Sequence, residues 1–86
     1  MEVKKGTVVR SKMGRDKGLF LVVLAVQGNE VLLCDGKFRP LERPKRKNIR
    51  HIAVTSSVLS DHSMKTNREI RKSLKMWNDL QSETFT

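Results

Sequence analysis

One cysteine rules out an internal disulfide, and the two histidines, His51 and His62, lack the paired spacings that structural zinc needs. The fold is therefore expected to rest on an apolar core, with no metal and no cofactor. Cys34 itself lies in an apolar run, which predicts a small buried hydrophobe and not a reactive thiol. Long hydrophobic stretches are also missing. The longest covers residues 19–26, against the roughly 20 residues of a membrane-spanning helix, and the opening residues lack the apolar centre of a signal peptide. A cytoplasmic protein without membrane contact is expected. Tyrosine is absent and there is one tryptophan, so successive unpaired bases would find few rings to stack on. Catalysis has no candidate site. Asp61, His62 and Ser63 are neighbours in the chain, and adjacent side chains do not form a nucleophile, base and orienter. The loop GRDKG at 14–18 lacks the glycine spacing of an NTPase phosphate loop. The chain is not expected to be an enzyme.

Acids are scarce as well, 9 against 18 Lys and Arg, for a net charge of +9. The excess is concentrated. Residues 37–51, KFRPLERPKRKNIRH, set seven bases against the single acid Glu42 and so hold +6 of it. Like charge packed this closely repels itself in a compact state, and a polyanion that releases counterions on binding is the usual offset. Pro40 and Pro44 fix φ and push Arg39 and Arg43 out of helical geometry. The run is expected to be an extended basic loop, which argues against an amphipathic helix lying on a membrane. A solvated, disordered linker is the alternative. Phe38, Leu41 and Ile49 speak against it, because they punctuate the charges with groups that favour burial.

At 86 residues, 37% hydrophobic and 31% charged, the chain has room for one small domain and an appendage. Residues 7–13, TVVRSKM, follow Gly6 and read as a first strand. Gly14 and Gly18 bound a tight connection that carries Arg15 and Lys17 at its tip. The run 19–26, LFLVVLAV, reads as a core strand buried on both sides or curled through a small barrel. Residues 27–29 supply a hairpin turn, 30–34 return as a third strand, and 49–54 are expected to close the sheet. Four or five short strands around one very apolar strand predict a mainly β fold, a small curled antiparallel barrel over residues 1–54. A polar linker over 55–65 follows. Thr66 to Glu69 has the capping-box pattern, and Ile70, Leu74, Trp77 and Leu80 recur at helical spacing, predicting an amphipathic helix over 66–81. Its other face carries Arg68, Lys72 and Lys75. Trp77 and Leu74 are expected to cap the barrel of the same chain in preference to a partner surface.

The first strand, the loop 13–18 (MGRDKG) and the apolar strand after it resemble a KOW motif, in which a glycine at the position of Gly18 ends the loop between two strands. Residues 35–52, DGKFRPLERPKRKNIRHI, extend the likeness. Together they resemble bacterial KOW-domain RNA-binding proteins related to eukaryotic and archaeal large-subunit ribosomal proteins, over about residues 4–54. The resemblance implies an SH3-like barrel, RNA as ligand, and association with the ribosome or its RNA in translation. It does not reach residues 55–86.

Two functions remain open. In the first, Lys37, Arg39, Arg43, Lys45, Arg46, Lys47 and Arg50, joined by Arg15 and Lys17, clamp the phosphates of a structured RNA read by shape, ribosomal RNA foremost. Phe38 is expected to anchor its loop in the barrel, with stacking on a base as the alternative. In the second, the barrel or the C-terminal helix grips a protein of the transcription or translation machinery, and charge only localises it.

Overall fold

In a computed structural model, which describes residues 2–84, five strands form one antiparallel sheet and a single helix follows them. The strands are β1 (Thr7–Ser11), β2 (Phe20–Gln27), β3 (Glu30–Cys34), β4 (Lys45–Asn48) and β5 (Ile52–Val58), in the order β4-β3-β2-β1-β5. The helix, α1, spans Asn67–Thr84. Short 3-10 turns occupy Ile49–His51 and Asp61–Met64.

Connectivity alone requires the sheet to curl. Laid flat, the edge strands β4 and β5 would stand about 19 Å apart at normal strand spacing. The chain crosses from one to the other through the turn Ile49–His51, and the four steps from Asn48 to Ile52 reach at most about 14 Å even when extended. The edges must therefore approach each other, as in a barrel. Asn48 starts the turn by accepting the N–H of Arg50 on its side-chain oxygen at 2.9 Å. The sequence predicts a strand over 49–54; the chain first makes this 3-10 turn, and β5 begins at Ile52.

Two apolar layers result, one on each face of the sheet. Val9, Leu21, Val23, Val31, Leu33 and Ile52 fill the inside of the curl. On the outside, Val8, Val22 and Cys34 form a row across β1, β2 and β3, since Val8 pairs with Val22 and Val22 with Cys34. Ile70, Leu74 and Met64 cover that row. β2 thus contributes to both layers, with Leu21, Val22 and Val23 all fully buried. This is why its sequence is uninterruptedly apolar and does not alternate. Cys34 is sealed in the outer layer, and burial, followed by the charges of Asp35 and Glu42, pushes its thiol up to about 12.

α1 starts as its sequence indicates, with the Thr66 hydroxyl accepting the N–H of Glu69 at 3.1 Å. Ile70, Leu74 and Trp77 of its apolar stripe dock within the chain, and Leu80 is exposed. Leu74 and Trp77 pack on the barrel of the same chain as expected, and α1 lies across the outer face of the sheet, where Trp77 stacks on Phe20 with ring centroids 6.2 Å apart. Two asparagines fix its position. β3 pairs with β2 only from Val22 onward, so Phe20 has no strand partner on that side. The Asn78 side chain takes the place of one, accepting the Phe20 N–H at 2.9 Å and donating to its carbonyl at 3.3 Å. Asn67 accepts the N–H of Leu41 at 2.7 Å and donates to Glu42 at 2.9 Å.

Two further boundaries differ from the sequence reading. β5 runs to Val58, where Thr7 pairs with it, so the first part of the polar stretch 55–65 is strand and not linker. Its register shifts opposite Val8, and there the Thr55 hydroxyl donates to the Val8 carbonyl at 2.7 Å. Hydroxyls stitch this irregularity, which is why the segment looks like a break. The basic run is also not loop throughout. Residues Lys45–Asn48 pair with β3 as an edge strand, in register from Leu33 opposite Lys45 to Glu30 opposite Asn48.

Candidate nucleic-acid interface

The loop after β1 is shaped by its glycines and by one carboxylate. Gly18 adopts φ 93°, a region closed to most side chains, and donates its N–H to the Ser11 carbonyl at 2.8 Å. The tip side chains, Arg15 and Lys17, are exposed. Asp16 between them turns inward and meets Lys47 at 2.8 Å. The Lys47 ammonium donates to Asp16, to the Ser11 hydroxyl at 2.9 Å and to the Met13 carbonyl at 2.7 Å, which accounts for all three of its N–H groups. Burial alone would raise the Asp16 pKa, but hydrogen bonds from Lys47 and Ser11 outweigh it and hold the carboxyl below its ordinary value.

Lys47 therefore leaves the set of expected phosphate ligands. It is 7% exposed, and its charge is enclosed. The cause is the alternation of β4: Lys47 lies opposite Val31, an inward-facing residue, whereas Arg46 lies opposite Leu32 on the other face. Reading the run as irregular loop leaves every cation in water, and a strand does not.

A second wall comes from the turn after β3. Asp35 accepts the N–H groups of Lys37 at 3.1 Å and Arg39 at 2.7 Å on one side-chain oxygen, so the intervening residues are held out as a tip. Gly36, at φ 80°, lets this turn meet the first turn of α1, because a Cβ there would collide with the Asn67 carbonyl. Phe38 is 68% exposed at the tip, with the Lys37 ammonium 5.1 Å from its ring centroid. It does not anchor the loop in the barrel. That work falls to Leu41, which packs on the outer layer, and Ile49, which packs on the inner one.

The third wall is the polar face of α1. Arg68, Arg71, Lys72 and Lys75 recur at helical spacing and face the same space as Arg15, Lys17, Lys37 and Arg39. Together they line an open groove of about 1150 Å³. The carboxylates in its lining are already engaged: Asp16 by Lys47, Asp35 by its own turn, and Asp79 by Lys75 at 2.6 Å. Positive charge is left in excess.

The expected site residues thus divide. Arg15, Lys17, Lys37 and Arg39 converge in the groove, while Arg43, Lys45, Arg46 and Arg50 are not part of its lining. Arg46 lies 3.9 Å from Glu30. The helix cations were the omission. Their spacing is visible in the sequence, but which loops that face adjoins depends on where Ile70 and Leu74 dock. No family model and no curated protein matches the chain.

Proposed function

We propose that the protein is a non-catalytic RNA-binding module that clamps the phosphates of a structured RNA in this groove. One observation carries the reading: three separate segments bring eight Lys and Arg side chains to one concavity, and the only common ligand that rewards such crowding is a polyanion. The sequence resemblance to KOW-domain proteins over residues 4–54 supports the same class of ligand, with ribosomal RNA in the cytoplasm as the favoured source. The first half of the apolar stripe that a protein-binding helix would offer is turned inward, since Ile70 and Leu74 are fully buried against the chain's own sheet.

Titration against an RNA hairpin at several salt concentrations tests the proposal. Neutralising about six phosphates predicts a log–log salt slope of roughly −4 to −5. Changing Arg68, Arg71 and Lys72 together to Gln should flatten that slope by about 2 units, with the melting temperature preserved, because exposed charges contribute little to stability. The same change at Arg43, Lys45 and Arg46 should cost much less. A slope near zero for the wild type would refute the phosphate clamp and favour protein binding through the barrel.

A further inference from the structure

We infer that the groove selects RNA in which a single unpaired nucleotide adjoins a stem, the stem's backbone lying along α1 and the unpaired base stacking on Phe38. This rests on the RNA reading above and specifies its ligand. Phe38 is the most exposed of the large apolar side chains in the described residues, yet it is not on a loose loop. Asp35 holds the residues on either side of it, and Gly36 seats the turn against the backbone of α1. A ring presented to water on a fixed support gains most by being covered. What covers it must be flat and must tolerate cations beside it, because Lys37 lies over the ring and Arg39 shares the groove. A nucleobase flanked by its own phosphates meets both conditions.

The number of bases follows from the number of rings. Among the described residues, Phe38 is the only aromatic lining the groove; Phe20 and Trp77 stack on each other. A track for single-stranded RNA would set successive aromatics along a basic path, and this groove has one platform. The rest of the lining suits a backbone. Arg68 and Lys72 lie one turn apart along α1, about 5.4 Å, which matches consecutive phosphates of one strand better than it matches splayed bases. Stems are read in this way, through backbone and shape, with recognition focused where a base leaves the stack.

The test uses two hairpins of the same stem, one fully paired and one carrying a single bulged 2-aminopurine. Wild-type protein should bind the bulged hairpin about tenfold more tightly and change the fluorescence of its 2-aminopurine, within the range expected for one base on one ring. Phe38→Ala should abolish the preference and the fluorescence change, while its affinity for the paired hairpin stays within about twofold and its melting temperature is unchanged. Phe38→Trp should retain both. If wild type binds the two hairpins equally, or Phe38→Ala weakens both alike, the inference fails and the phosphate clamp stands. If neither hairpin binds even at low salt, the RNA reading itself fails.

Discussion

Enclosing an ammonium group costs several kcal/mol unless its donors are met, and Lys47 meets the requirement with three acceptors, one of them ionised. Its role is to tie the loop 14–18 to β4. Lys47→Met would leave the Asp16 carboxylate without its cation, a loss of about 2–4 kcal/mol, less than for a fully buried pair because the Asp16 side chain is still 18% exposed. Adding Asp16→Leu should recover part of it. Acid should act on the same contact. The folded-state pKa of Asp16 lies below its ordinary value of 3.8, so the stability it contributes is complete above that value and is lost as pH falls through the lower, folded one. Urea unfolding followed downward from about pH 6 should therefore show a smaller acid-induced loss in Asp16→Asn than in wild type. An identical pH profile would remove Asp16 from the account.

At the scale of elements, β2 is unusual in having no solvent face along its first half. Val22→Asp would place a carboxylate under α1, and Val23→Asp would place one inside the curl. Each should unfold the domain, since an unpaired buried charge costs on the order of a small domain's whole stability. Circular dichroism melts of the two variants distinguish this arrangement from a sheet covered on one side, in which only one would be affected. The apolar run 19–26, most of which is β2, was legible because Leu21, Val22 and Val23 at its centre are buried on both faces of the sheet. β4 was not. Its residues Lys45 to Asn48 contain no apolar side chain, and they become strand only because β3 presents a free edge. Lys and Arg on such an edge also discourage a second chain from pairing there.

For the whole molecule, most of the sheet and the helix could be read from local pattern, since apolar runs, turn residues and capping are local properties. The groove could not, because it exists only where the loop 14–18, the turn 35–39 and α1 come together, and no sequence separation encodes their adjacency. Arg15 and Lys17 share the groove with Lys37 and Arg39, because the β1–β2 and β3–β4 connections of an antiparallel sheet leave it at the same end. Arg68, Arg71 and Lys72 needed the docking angle of α1, and Asn78 sets part of that angle through its two bonds to Phe20. One wall of the groove is thus mounted on an element held to the sheet by side-chain contacts and not by a strand ladder. Molecules with α1 undocked have no groove, so the apparent dissociation constant rises as the docked fraction falls. Asn78→Ala, which removes no cation, should therefore weaken RNA binding while leaving the salt slope intact. Faster hydrogen exchange in the α1 amides of that variant, slowed again when RNA is added, would show binding and helix docking to be two readings of one equilibrium.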